Sequence, residues 1–70
     1  MNMTATFLVA KKEPVKAEIG NSYRVVFNKR PNGFLNGAIY EVISLHDGYV
    51  KFKGYKLTFL ETSVKLYNIN

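Results

Sequence analysis

The sequence predicts an all-β domain made of short strands. Three observations carry this. Apolar and polar residues alternate with a period of two over short runs, those runs are rich in Val, Ile, Tyr, Phe and Thr, and Gly, Asn, Asp or Pro bounds each of them. Helical periodicity is poor throughout. Strands are expected at about residues 4–11, 23–28, 38–46, 49–53, 56–61 and 64–67. No repeat, low-complexity tract or linker interrupts them, so residues 1–70 are read as a single small domain.

The first run, Thr4 to Lys11, stops before Pro14, which cannot donate within a central strand. Thr4, Thr6, Leu8 and Ala10 alternate with Met3, Ala5, Phe7 and Val9, leaving both faces partly apolar. Such an edge strand pairs either within the chain or with a second copy, so a monomer and an edge-paired homodimer both stand. Gly20-Asn21 supplies a turn. In the next strand Tyr23, Val25 and Phe27 share one face, and Arg24, Val26 and Asn28 the other. The stretch KRPNGFLNG, with two Asn-Gly pairs and a proline, is a loop. Ile39-Tyr40 and Val42-Ile43 place apolar groups on both faces of the third run, which predicts a central or bent strand. His46-Asp47-Gly48 closes a tight hairpin because Asp-Gly tolerates positive φ. Val50 and Phe52 then point inward against outward Lys51 and Lys53. Gly54 makes a bend, Leu57 and Phe59 are expected inward, Thr62-Ser63 suits one helical turn, and VKLYN is the last strand.

From AEIGNSYRVVF at the entry to TFLETSVKLY at the exit, a long first loop is followed by tight turns and a one-turn interruption before the last strand. That order resembles the SH3-like small barrel of five to six antiparallel strands, with residues 4–11 as the additional one. The resemblance implies a fold, and that fold serves many functions. The chain departs from peptide-binding SH3 domains in having no tryptophan and no acidic first loop, so recognition of proline-rich peptides is not expected. An OB-type barrel is the nearest rival.

Composition narrows the function classes. A chain this short buries only about 60% of its unfolded surface, and without cysteine it has neither disulfides nor thiolate zinc sites. The 47% hydrophobic and 14% aromatic content supplies the core instead. Absence of cysteine fits a reducing, cytoplasmic setting. The apolar stretch Ala5–Ala10 is too short for a signal core or a membrane span, and Lys11 and Lys12 follow it, so no membrane association is expected. Catalysis is not expected either. The single histidine, His46, adjoins Asp47 in a turn where neighbouring side chains usually point apart, and no partner nucleophile is suggested. Five scattered carboxylates lack calcium-loop spacing, and no glycine-rich phosphate loop precedes a helix. The expectation is a binding module without metal or cofactor.

The net charge of +5, from ten Lys or Arg against five Asp or Glu, favours anionic partners, although it also keeps a small domain soluble. Within HDGYVKFKGYKLTFLE, an inward set of Val50, Phe52, Leu57 and Phe59 forces Lys51, Lys53 and Lys56 outward. Strand geometry requires polar residues there but not residues of one sign. Tyr49 and Tyr55 share the face of these lysines if the strand runs unbroken across Gly54. Their rings either stack bases while ammonium groups meet phosphates or, slightly more commonly, cap the core at the barrel rim. Arg24 and Lys65 extend the surface if register allows. Lys29 and Arg30 stand beside turn residues whose N–H groups can form an anion nest.

The first expectation is therefore a nucleic-acid-binding module with little sequence preference, using Arg24, Lys29, Arg30, Tyr49, Lys51, Lys53, Tyr55 and Lys56. The second is a small protein-binding accessory or inhibitor that meets an acidic protein surface through Lys29, Arg30, Phe34 and Leu35, or through a strand edge. Phe34 and Leu35 either plug the end of the core or project as an anchor, and a core this small favours the plug. Richness in Asn, Lys and Tyr suits an AT-rich genome and a mobile element such as a phage.

Overall fold

A computed structural model describes residues 13–69, so the strand expected at 4–11 and its pairing lie outside the described residues. Five strands form one antiparallel sheet: β1 (Ser22–Phe27), β2 (Ile39–His46), β3 (Tyr49–Phe52), β4 (Thr58–Leu60) and β5 (Val64–Tyr67). A single 3-10 turn, Glu61–Ser63, lies between β4 and β5. The strand order is β4-β3-β2-β1-β5, and among the described residues the sheet is not closed, since no ladder joins β4 to β5. Among the described residues no helix is long and apolar enough to cross a membrane.

Alternation in β1 buries Tyr23, Val25 and Phe27 and leaves Arg24 exposed. β1 lies between two partners, with Tyr23 opposite Tyr40 of β2 and Val25 opposite Leu66 of β5. β2 is both central and bent. Its pairing with β3 runs from Val42↔Phe52 to Ser44↔Lys51, so Ile43 and Ser44 together oppose one residue. That bulge shifts the alternation by one position: Tyr40 and Val42 face the core before it and Leu45 after it, while Ile43 is left exposed. The β2–β3 hairpin turns at Asp47 (φ 52°) and Gly48 (φ 81°), two successive positive φ values as a type I′ turn requires.

β4 is shorter than the expected 56–61. Leu57 precedes it and is 53% exposed, contrary to the inward position expected. Phe59 alone of this segment packs against the core.

The core consists of Tyr23, Val25, Phe27, Phe34, Tyr40, Val42, Val50, Phe52, Val64 and Leu66. Aromatic rings hold one half of it. Phe27 meets Phe34 at 5.2 Å and Phe59 at 5.1 Å between centroids, and Tyr40 meets Phe52 at 5.5 Å. Contacts of this kind contribute about 0.5–1.5 kcal/mol each beyond the area they bury. Both buried tyrosines satisfy their hydroxyls: Glu18 N–H donates to Tyr23 Oη and Leu35 N–H to Tyr40 Oη, each at 2.9 Å. On the outer edge of β5, Val15 N–H donates to Leu66 O at 2.8 Å and brings Val15 and Ala17 onto the core.

The loop between β1 and β2 contains two successive turns of the same kind. Phe34 N–H donates to Pro31 O, and Ala38 N–H to Leu35 O, both at 3.3 Å. Gly33 (φ 89°) and Gly37 (φ 84°) take the third position of their turns, where a type II turn demands positive φ.

Candidate nucleic-acid interface

The outward face of β3 collects the candidate residues that the fold brings together. Tyr49 and Lys51 point outward there, with Tyr49 43% exposed and Lys51 half-buried. Tyr49 stands opposite His46 of β2 and Leu60 of β4, and Lys51 opposite Ser44 and Thr58. Directly opposed side chains in a sheet start about 4.5–5.5 Å apart, so two hydroxyl residues flank the Lys51 stem. Lys53 continues the column. Its N–H donates to Glu41 O at 2.9 Å, which places it beside β2 and brings one carboxylate residue to that end. Lys53 and Lys56 are exposed.

Among the described residues none of these lysines has an ion-pair partner within 4 Å. The one contact of this kind among the described residues is His46 Nε2 to Asp47 Oδ2, at 3.1 Å, an ion pair when the imidazole is protonated. The expectation that this pair points apart is therefore corrected, because the positive φ of Asp47 accompanies a geometry in which the two side chains meet. Both are more than four-fifths exposed, at the tip of the hairpin. Among the described residues no cluster of three or more His, Asp or Glu side chains is placed to hold a metal ion.

Other candidates lie elsewhere. Tyr55 does not share the Lys51 face. Gly54, at φ 88°, reverses the chain, and the Tyr55 ring packs 4.4 Å from Phe34 and 5.6 Å from Tyr40. It serves the core. Arg24 is on β1, two strands away from β3, and its Nη1 donates to Gly37 O at 2.8 Å. Lys65 is on β5 opposite Val26. Lys29 and Arg30 sit in the loop after β1. Lys29 lines a shallow hollow of about 380 Å³ with Phe27, Asn28, Phe59 and Ser63, and Arg30 Nη1 donates to Phe34 O at 2.8 Å. The Phe34-Leu35 pair splits: Phe34 is 3% exposed and plugs the core, the favoured of its two readings, so its alternative as a projecting anchor is corrected, whereas Leu35 is 65% exposed and does not plug it.

Two groups of residues at these surfaces are not evident from the sequence. Ser44 and Thr58 flank Lys51 only because of the β2 bulge and the β4 register, neither of which alternation reveals. Ile39 and Tyr67 flank Arg24 on the outward side of β1, where exposed Ile39 and half-buried Tyr67 form an apolar surround for a cation. Comparison with protein-family models, with curated proteins and with solved structures finds no match to this chain.

Proposed function

We propose that the domain is a non-catalytic module that binds nucleic acid through the outward face of β3, with Tyr49, Lys51 and Lys53 at the centre and Lys56 at the flank. The observation that carries this reading is the column itself: an exposed tyrosine and two lysines at alternate positions, free of ion pairs among the described residues, with hydroxyl residues on either side of Lys51. The ring offers a stacking platform, the lysines meet phosphates, and Ser44 and Thr58 supply hydrogen bonds to phosphate or sugar. No base-reading constellation accompanies them, so sequence preference is low. Arg24, Lys29 and Arg30 act here through the long-range field rather than by contact.

The fold we assign is the SH3-like small barrel. It is supported by the order β4-β3-β2-β1-β5, by the 3-10 turn before β5, and by the Phe34 plug at one end of the core. The absence of cysteine supports a cytoplasmic setting.

The test is an amide-resolved NMR titration with short single- and double-stranded DNA and RNA, at about 50 mM and 200 mM salt, a span over which phosphate-driven binding weakens strongly. Shifts at residues 44, 49–53 and 58 that fade with salt are expected. No shifts at the lower salt, or shifts confined to residues 29–37, would overturn the reading.

A second reading has its own support. Exposed Leu35 and the Ile39–Arg24–Tyr67 row combine apolar groups with arginine, the composition of a protein-binding hot spot, and the positive charge selects an acidic partner. Under that reading Arg24→Glu and Leu35→Ala abolish binding, whereas charge reversal at Lys51 and Lys53 does little.

A further inference from the structure

The tandem turns between β1 and β2 contain the same dipeptide twice, Asn32-Gly33 and Asn36-Gly37. Each asparagine takes the second position of its turn and each glycine the third. Glycine after asparagine leaves the amide nitrogen sterically open to attack on the asparagine side chain, a reaction that converts asparagine to aspartate without an enzyme. Local chemistry is therefore matched between the two sites. Their tertiary bonds are not.

Asn36 is held at both reacting ends. Its Oδ1 accepts from Phe27 N–H at 2.8 Å, and the Gly37 N–H donates to Val25 O at 2.8 Å. Ring closure there requires the side chain to leave β1 and the nucleophilic nitrogen to give up its hydrogen bond. Asn32 and Asn36 are both exposed, but among the described residues neither the Asn32 side chain nor the Gly33 N–H has a hydrogen-bond partner. A Cβ at Gly33 would meet no atom within 4 Å, and the same holds at Gly37, so the hydrogen bonds are what set the two sites apart.

We propose that Asn32 is a spontaneous modification site of this protein, and that the fold protects Asn36. The Gly33 nitrogen loses its proton to hydroxide and attacks Cγ of Asn32. The N–Cγ bond forms, the Cγ–Nδ2 bond breaks, and the leaving nitrogen takes a proton from water and departs as ammonia. Water then opens the cyclic imide at either carbonyl, giving aspartate or isoaspartate with no change of oxidation state. The product places a carboxylate in the loop that holds Lys29 and Arg30 and removes one unit from the net charge of +5.

The experiment is incubation of the intact protein in mildly alkaline buffer, with peptide mapping by mass spectrometry over time, in parallel in buffer and in urea. In the folded protein, conversion at position 32 is expected to outpace conversion at 36 by about tenfold or more, since two hydrogen bonds must break only at the latter. In urea the two rates are expected to converge. Equal rates in the folded protein would overturn the proposal. So would an unchanged ratio in urea, which would place the difference in flanking sequence instead of the fold.

Discussion

The rings of Phe34 and Tyr55 lie 4.4 Å apart, the shortest ring contact among the described residues, although they come from two different connections of the sheet. One belongs to the β1–β2 loop and the other to the segment between β3 and β4. Together with Tyr40 they cover one end of the core. Phe34→Ala should therefore destabilise the domain by about 3–5 kcal/mol, and Leu35→Ala by no more than about 0.5 kcal/mol. Urea unfolding followed by circular dichroism measures both. Because a domain of this size has only about 3–5 kcal/mol in hand, the Phe34 variant should be largely unfolded at room temperature.

The two tyrosines expected to act together as stacking platforms should separate by experiment. Tyr49→Ala should leave the unfolding midpoint nearly unchanged and weaken binding of single-stranded nucleic acid by about 1–3 kcal/mol. Tyr55→Ala should lower the midpoint. A midpoint for Tyr55→Ala equal to that of the parent would contradict its role in the core.

Charge reversal reports on the same surface. A double change, Lys51→Glu with Lys53→Glu, should reduce the slope of log affinity against log salt by about 1.4–1.8, since each phosphate left without its lysine accounts for about 0.7–0.9. The fold should persist, as both side chains point outward. Fluorescence anisotropy across a salt series gives the slope, and one equal to the parent's would exclude these lysines from the interface.

Asn36 also has a structural task. Asn36→Ala removes the acceptor of the Phe27 N–H and should cost about 1 kcal/mol, the low end of the penalty for an unpaired donor, because the bond is only partly buried. Asn32→Ala should cost no more than about 0.5 kcal/mol. Chemical denaturation of the two variants tests whether the tandem turns differ in the way their hydrogen bonds indicate.

At the hairpin tip, Asp47→Val places a β-branched residue at φ 52° and should cost about 1–2 kcal/mol, whereas Asp47→Asn should be close to neutral. Thermal unfolding of the two variants checks this.

The strands are legible in the sequence because each has one buried face. Tyr23, Val25 and Phe27, or Val50 and Phe52, announce themselves by alternation, and the Asp47-Gly48 turn by its chemistry. Leu57 misleads because apolarity suggests inwardness. The strand begins after it, and Phe59 is the residue that meets the rings. Tyr55 misleads for a related reason: continuing the alternation across Gly54 assumes an unbroken strand, and a positive φ breaks it. Of the candidate interface, the column of Tyr49, Lys51 and Lys53 is legible from local pattern. Its neighbours Ser44 and Thr58 are not, because cross-strand partners depend on register, and here a bulge sets the register. The separation of Arg24 from the β3 column likewise follows from strand order, which no local pattern encodes.

The position of β1 between β2 and β5 also bears on how the chain comes together. The β2–β3 and β3–β4 pairings join neighbours in the chain and close short loops. The ladder that sets Arg24 beside Tyr67 and Phe27 beside Val64 joins β1 to the strand furthest from it in the chain. Pairings this distant carry the largest loop-closure entropy and belong to slow-folding, high-contact-order topologies. During synthesis, one edge of β1 lacks its native partner until Val64–Tyr67 has been made. Over that interval Val25 and Phe27 lack the cover of Leu66 and Val64, and the nascent chain carries an open, apolar strand of the kind that other chains can join.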